Sequence, residues 1–254
     1  MKALALYKDF KKKSPGVSWP EGAEHTIFLD PDVAFAGNVT LFPGVIIQGT
    51  SWIGEGCILE PNCYVKASRI GKFCTLAGRI EKSVVGGHSQ VRSNCRLIKS
   101  RCGTYCDIKG EIENSMLGRH VETYASCIMH DSSCGYHCQL GAHINRTQMG
   151  DRVNAKYGDI NLLDGEIGNN VNFSAGTTFY NFDGTEKKKT FVGSGSFVGG
   201  KIIAPRYIGN NVYIVAGCTI REDIPDNTYV DPEGKFRPNL MQNDGNGHWV
   251  RTEK

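Results

Sequence analysis

The chain has 254 residues and a formal net charge of +3 at pH 7, with 29 Lys and Arg residues against 26 Asp and Glu residues. This balance, without a long basic stripe interleaved with aromatic residues, argues against nucleic acid as a partner. No apolar run approaches the roughly 18 residues that a membrane-spanning helix needs. We therefore expect a cytoplasmic protein without a membrane partner.

Residues 1–24 form the first predicted segment. They contain no regular repeat, and the basic run Lys11, Lys12 and Lys13 precedes Pro15 and Gly16. Such a composition is typical of a solvated segment that leads into a folded body.

A six-residue repeat begins at Leu29. The first run of large apolar residues consists of Leu29, Phe35, Leu41, Ile47, Ile53, Leu59 and Val65, and the smaller residues Val33, Val39, Val45, Ser51, Cys57 and Cys63 follow four positions later. Later runs with the same spacing begin at Val85, Leu117, Ile167 and Ile208. A large residue followed by a small one in each hexad is typical of a parallel β-helix, in which three hexads close one triangular coil.

The repeat defines the predicted organisation of the chain. Residues 25–224 are predicted to form one all-β solenoid, because no space is left for a second globular unit. An open solenoid end invites strand addition, so residues 225–254, which contain Pro225, Pro232 and Pro238, are predicted to cap it.

The ten cysteines invite a metal or redox interpretation, most of all in the pairs Cys102/Cys106 and Cys134/Cys138. Every cysteine nevertheless occupies an inward hexad position. We therefore predict that they are compact core residues, without a metal site or disulfides.

Three histidines occupy equivalent places in the repeat. His88, His120 and His137 each stand three residues after an inward position, and Tyr105 does the same. Stacked coils would place these side chains in a ladder along one exposed corner. The ladder could hold a displaced catalytic base or a metal, but we favour polar corner residues packed between subunits.

The repeat is interrupted at 180–191. This stretch contains the turn signal Asp183-Gly184 and the three lysines Lys187, Lys188 and Lys189, so a loop is predicted to project from a corner. Such loops often carry binding groups, although a solvated basic loop would have the same pattern.

From Asp159 onward the chain resembles a known family. The segments IGNNVNFSAGTTFYNFDG at 167–184, KKKT at 187–190, FVGG at 197–200, IAP at 203–205 and IGNNVYIVAGCTIREDIP at 208–225 are similar to the acetyltransferase half of bifunctional UDP-N-acetylglucosamine pyrophosphorylase/glucosamine-1-phosphate N-acetyltransferase, a hexapeptide-repeat acyltransferase. Weaker similarity starts at Phe28.

This resemblance implies a left-handed parallel β-helix assembled as a homotrimer, with active sites between subunits. It also implies acetyl-CoA as the co-substrate and an amino-sugar phosphate or nucleotide sugar as the acceptor. The glycine-rich nucleotidyl-transfer motif of the family's other half has no counterpart, so uridylyl transfer is not expected.

The resemblance also assigns roles to individual positions. The residues matched to substrate binding are Asn145, Arg146, Asn172, Asn181, Phe182 and Lys187. The residues matched to the acetyl-CoA site are Asn181, Gly200 and Ala216, where small side chains would let the cofactor lie against the coil.

The family's catalytic histidine has no counterpart, because Tyr157 or Gly158 occupies its place. A general base with a pKa near the working pH contributes roughly 10²–10⁴-fold. Tyrosine at about 10 and aspartate at about 3.9 are poorly matched to pH 7. Tyr157, Asp159 and His143 are the candidates, and His143 is the better replacement.

Three functions fit these observations. The first is an acetyl-CoA-dependent acyltransferase with altered base catalysis. The second is a non-catalytic sugar-nucleotide-binding or trimeric scaffold protein. The third, a purely structural rod, leaves Asn172, Asn181 and Lys187 unexplained.

Overall fold

A computed structural model describes residues 16–243 and 249–251. The predicted basic run at 11–13 lies outside the described residues. The chain divides into two compact units, unit 1 within residues 1–125 and unit 2 within residues 126–254. The described residues contain a single short helix, the 3₁₀ turn Ala23–His25, and no helix that could span a membrane.

Each unit is built from three parallel sheets, which the chain visits in the order A, B, C before it returns to A. One visit to each sheet makes one coil, and a corner separates each strand from the next. The predicted all-β, left-handed parallel β-helix is confirmed.

Unit 1 contains short strands of two or three residues. Sheet A consists of Val17–Ser18, Val39–Leu41, Ile58–Leu59, Thr75–Leu76, Gln90–Val91, Asp107–Ile108 and Glu122–Thr123. Sheet B consists of Phe28–Leu29, Ile46–Gln48, Tyr64–Lys66, Arg79–Glu81, Arg96–Ile98 and Glu111–Glu113. Sheet C consists of Ala34–Phe35, Trp52–Ile53, Arg69–Ile70, Val84–Val85, Arg101–Cys102 and Met116–Leu117.

Unit 2 repeats this arrangement. Its sheet A consists of Gln139–Leu140, Asn154–Ala155, Asn172–Phe173, Phe197–Val198, Tyr213–Ile214 and Thr228–Val230. Its sheet B consists of Ile128–His130, His143–Asn145, Asn161–Leu163, Thr178–Tyr180, Lys201–Ile203 and Thr219–Ile220. Its sheet C consists of Ser133–Cys134, Gln148–Met149, Gly165–Ile167, Thr190–Val192 and Arg206–Ile208.

Parallel pairing extends beyond both predicted limits of the solenoid, 25 and 224. Val17–Ser18 pairs with sheet A of unit 1, and Thr228–Val230 pairs with Tyr213–Ile214 in unit 2. The predicted cap follows: Phe236–Pro238 adds an antiparallel strand, and Met241–Asn243 pairs with Trp249–Arg251 in a hairpin. The three-segment domain division itself stays a prediction.

The six-residue repeat builds the core. Leu41 and Leu59 are in register and fully buried, and in unit 2 Ile208 and Ile214 are equally inaccessible. The predicted inward placement of the cysteines is confirmed, because all ten are free and buried. Burial raises the pKa of Cys63 to about 12, mainly through loss of solvation, so this thiol stays protonated and unreactive.

A ring stack follows one exposed corner of unit 1. His88 and Tyr105 lie 4.9 Å apart and Tyr105 and His120 lie 5.1 Å apart, in nearly parallel planes, and Phe73 stacks on His88 at 5.2 Å. The predicted ladder is thus confirmed for His88, Tyr105 and His120. His137 takes the same left-handed backbone conformation in unit 2, where its ring meets Tyr136 edge-on.

Candidate functional site

The interruption of the repeat in unit 2 is a projecting loop, as predicted. Phe182 and Lys187 form an isolated antiparallel bridge across its base. The backbone N–H groups of Glu186 and Thr185 donate to the Asp183 carboxylate and hold the pKa of that carboxyl down to about 2. The turn signal Asp183-Gly184 therefore acts as an ordered cap on the loop.

Asn181, at the start of this loop, is only 9 % exposed. Its carbonyl oxygen accepts a hydrogen bond from the Lys188 N–H at 2.6 Å, and its side-chain Nδ2 donates to Asp164 Oδ2. The Asn181 side chain is consequently fixed against the coil rather than free on the loop.

Asp164 is clamped by an arginine from the preceding coil. Arg146 Nε donates to Asp164 Oδ1 at 2.6 Å and Nη2 donates to Oδ2 at 2.8 Å. Arg146 Nη1 donates to Asn145 Oδ1 at 2.8 Å. Arg146 and Asp164 lie at the corner after sheet B, and both have the left-handed backbone conformation (φ 49° and 52°). This shared conformation points their side chains along the same edge.

The electrostatics of this corner favour an ionised Asp164. Hydrogen bonds from Arg146, and then from Asn181, lower the pKa of the Asp164 carboxyl, and the charge of Lys187 acts in the same direction. A carboxylate so strongly paired is a poor base. We call Asn145, Arg146, Asp164, Asn181 and Lys187 the Asp164 cluster.

Among the described residues, Lys187 is the one loop lysine that forms no ion pair within 4 Å, although its charge acts on Asp164. Lys188 pairs with Glu186 and, at 3.9 Å, with Asp183, whereas Lys189 pairs with Glu166. Arg146 and Lys187 thus place two cationic groups beside one carboxylate.

Asp164 was absent from the sequence-based candidates, although it joins three of them. Its spacing from Arg146 could have identified Asp164 in the sequence. The two residues are 18 positions apart, which is one complete coil of three hexads. Charged residues of opposite sign at that spacing on a corner face each other.

His143 lies on the outward face that leads to this cluster. It begins the strand His143–Asn145, and side chains two residues apart in a strand point to the same side. His143 is exposed and is in register with Asn161 on the next coil. The sheet B face therefore connects an accessible imidazole to the Asp164 cluster.

The other two predicted catalytic residues lie at the opposite end of sheet B. Tyr157 and Asp159 belong to the enlarged corner between Asn154–Ala155 and Asn161–Leu163. Tyr157 is 45 % exposed, and the Lys156 ammonium lies 5.5 Å from the centre of its ring. This corner is accessible, and within the part of the chain that the structure describes no hydrogen bond or ion pair joins Tyr157 or Asp159 to the Asp164 cluster.

Two of the three predicted cofactor positions, Gly200 and Ala216, lie at that same corner between sheets A and B, whereas Asn181 lies at the other end of sheet B. A Cβ added to Gly199 would come within 2.7 Å of Ala216 Cα, and one added to Gly200 would come within 2.2 Å of the Cys218 carbonyl oxygen. Gly200 also has a φ of 99°, which favours glycine. The backbones of successive coils thus lie too close together at this corner for a side chain at Gly199 or Gly200.

Asn172 does not join the other predicted substrate residues within one chain. It lies on sheet A, in register with Asn154 and Phe197, whereas Asn145 and Asn181 flank sheet B. Phe182 lies at the base of the loop, where it is bridged to Lys187, and 60 % of its surface is exposed.

Similarity to characterised proteins covers most of the chain. It is 31 % identical over 211 residues to bifunctional protein GlmU of Thermoanaerobacter pseudethanolicus, a match that includes 79 % of this chain and 38 % of that protein. The corresponding protein of Caldanaerobacter subterraneus is 32 % identical over 203 residues, with 78 % and 38 % covered. The chain thus spans about two fifths of the length of these relatives.

Other comparisons add little. No family model matches the chain. The alignment with a solved structure of LpxA from Acinetobacter baumannii covers 84 % of this chain and 71 % of the LpxA chain, with 17 % sequence identity and a TM-score of 0.28. So low a similarity supports no conclusion about function. The similarity to GlmU confirms the predicted resemblance to a hexapeptide-repeat acyltransferase.

Proposed function

We propose that the chain transfers an acetyl group from acetyl-CoA to the amine of an amino-sugar phosphate or nucleotide sugar in the cytoplasm. The observation that carries the proposal is the Asp164 cluster, because it fixes Asn181 beneath a loop whose sequence resembles the acetyltransferase family. A structural rod would not need this arrangement.

The acceptor's phosphate would bind between Arg146 and Lys187. Three of the five guanidinium N–H donors of Arg146 are engaged with Asp164 and Asn145, so two remain for a phosphate oxygen. Asn181 Oδ1 has no partner among the described residues and can accept from a sugar hydroxyl. Asp164 has a positioning role, since its own oxygens are occupied.

The transfer needs a base for the acceptor amine. The amine nitrogen forms a bond to the thioester carbonyl carbon, the carbon–sulfur bond breaks, and coenzyme A leaves as a thiolate. His143 would take the proton that the amine loses, because it lies on the face between the cluster and the glycine-lined corner. Histidine is the side chain that most often serves as a general base in enzymes.

The acyl donor fits the smooth corner after sheet A. Gly200 and Ala216 would lie beside its pantetheine arm, and exposed Gly217 has open space around the position of a Cβ. Small residues here let an extended chain approach the backbone, where peptide groups can bind its amides.

A homotrimer would bring Asn172 to the site of a neighbouring copy. Asn154 Oδ1, next to Asn172 on sheet A, is buried and has no hydrogen-bond partner within 16–243 and 249–251. An orphan acceptor of this kind usually has a partner that the single chain does not supply. We infer that sheet A of one subunit faces the acceptor site of the next.

Thiol release tests the proposal. Purified protein is incubated with acetyl-CoA and glucosamine 1-phosphate, then with UDP-linked amino sugars, and free thiol is followed. Turnover that is lost in Asn181→Ala supports the enzyme. Ligand-dependent thermal stabilisation without turnover of any amine would instead support the non-catalytic scaffold, and the absence of both would favour a structural protein.

A further inference from the structure

Sheet C of unit 2 carries a second surface that the proposed acyl transfer does not use. Its outward side chains are in register from one coil to the next, so they follow one another at the strand spacing of about 4.8 Å. We call this surface the sheet C row, and its members are Ser133, Gln148, Glu166, Phe191 and Tyr207.

The polar end of the row lies in an open depression of about 430 Å³. Inward-facing Met149 and Ile167 form its floor, and Gly150 and Gly168 border it. A Cβ on Gly150 would lie 2.3 Å from Asn169 Oδ1, and one on Gly168 would lie 2.6 Å from Ser194 Oγ. The two glycines therefore keep the border of the depression free of side chains, because any side chain at either position would displace the corner.

Three different polar groups line the depression. The side chains of Ser133 and Gln148 have no hydrogen-bond partner in the part of the chain that the structure describes. Glu166 is paired with Lys189 on one side and keeps further acceptor capacity, since an ionised carboxylate has about four lone-pair sites. A hydroxyl, an amide and a carboxylate can together donate to and accept from a ligand rich in hydroxyl groups.

Two aromatic rings continue the row. Phe191 is 39 % exposed and Tyr207 is 50 % exposed. Phe191 is in register with Glu166, and Tyr207 is in register with Phe191 on the next coil. Adjacent exposed rings provide a large apolar area at low conformational cost. Saccharides combine an apolar C–H face with a rim of hydroxyl groups, so a row of rings next to polar groups is complementary to them.

Charge decides which saccharide fits. The carboxylate of Glu166 lies in the middle of the row, where it pairs with the ammonium group of Lys189. A phosphate or uronate placed over the depression would meet the like charge of this carboxylate. A neutral or amino-bearing sugar meets no such repulsion.

We propose that the sheet C row binds a neutral or amino-bearing oligosaccharide. Its sugar rings lie over Phe191 and Tyr207, and its hydroxyl groups bond to Glu166, Gln148 and Ser133. This site is independent of acetyl transfer, so a glycan can be held whether or not the sheet B face is catalytic.

Calorimetric titration of the full chain tests this inference. The probes are the trisaccharides of N-acetylglucosamine and of glucosamine, with trigalacturonate as the anionic comparison. We expect the first two to bind and trigalacturonate to bind at least tenfold more weakly. Phe191→Ala and Tyr207→Ala should each weaken binding about tenfold, and Glu166→Gln should reduce the discrimination against trigalacturonate.

The matched control is Phe28→Ala, which removes an exposed ring from unit 1 and should leave binding unchanged. Circular dichroism and molecular mass are measured for each variant, so that misfolding and altered assembly are recognised. Failure of all three probes at millimolar concentration overturns the inference, as does undiminished binding by well-folded Phe191→Ala and Tyr207→Ala. A change of mass in Phe191→Ala without saccharide binding by the parent would assign the row to a subunit interface instead.

Discussion

Arg146 holds Asp164 at two points, with 2.6 Å between Arg146 Nε and Asp164 Oδ1 and 2.8 Å between Nη2 and Oδ2. Parallel hydrogen bonds of this type fix the plane of the carboxylate as well as its position. Asp164 Oδ2 can therefore orient Asn181, so the geometry of the loop base depends on an arginine one coil away.

Replacing Arg146 by lysine should weaken acceptor binding although the charge is retained. Lysine has no planar fork and cannot reach Asp164 and Asn145 together. We expect the KM for the amino-sugar phosphate to rise about tenfold or more, equivalent to roughly 1.4 kcal/mol. Steady-state kinetics provide the measurement. Arg152→Lys, at another corner of unit 2, is the control, and equal KM values for both variants would contradict the clamp's role.

The Asp164 carboxylate should make the stability of the chain depend on pH. Its folded-state pKa is lowered, chiefly by the Arg146 hydrogen bonds, so its contribution is present above the unfolded pKa of about 3.9 and is lost as the pH falls through the folded pKa. Urea unfolding should therefore show the parent more stable than Asp164→Asn at neutral pH. The difference should shrink below about pH 4, and a difference that stays constant would refute this account.

His143→Ala should lower kcat by roughly 10²–10⁴-fold, the usual contribution of a general base, with little effect on the KM for acetyl-CoA. His88→Ala, in the ring stack of unit 1, should retain full activity. If His143→Ala keeps the parent's kcat, the base must be sought at Tyr157 or Asp159.

Subunit mixing should reveal a shared active site. Asn172→Ala and Asn181→Ala are each expected to be nearly inactive as homotrimers, because the two asparagines flank different sheets. Mixed trimers of the two variants would contain some sites with both asparagines intact. Denaturation and refolding of a mixture should restore a fraction of the activity, whereas no recovery in verified mixed trimers would place both residues in separate roles.

Tyr105→Ala should destabilise the chain. The ring stacks on His88 and His120, and each such contact contributes about 0.5–1.5 kcal/mol. Tyr105 has a φ of 59°, where glycine is less strained than alanine. Tyr105→Gly should thus be about 1 kcal/mol more stable than Tyr105→Ala, since the left-handed conformation costs a residue with a Cβ roughly 1–2 kcal/mol. Urea unfolding of both variants checks the order, and the reverse order would show that backbone strain is unimportant here.

Much of the fold could be predicted from spacing alone. The repeat places Leu41, Ile53 and Leu59 inward, and all three are completely buried. The same spacing correctly assigned the cysteines to the core. These predictions succeed because a narrow core restricts the size and polarity of every residue that faces it.

The candidate site was less accessible to such reasoning. Spacing and resemblance identified Asn145, Arg146, Asn181 and Lys187, which do lie together, but they missed Asp164 and grouped Asn172 with residues that flank another sheet. Outward positions tolerate many side chains, so their periodicity is weak, and the enlarged corner around Tyr157 alters the register that spacing would predict.

The six-residue spacing is sufficient to predict the coil, its inward face and the place where the loop departs, because burial of apolar side chains imposes a regular period on the chain. The contact of Arg146 with Asp164 across one coil and the position of Asn181 became visible in the folded chain alone. The same holds for the row that joins Ser133 to Tyr207. These relationships depend on which corners stack on one another and on the directions of exposed polar side chains, which no local period records.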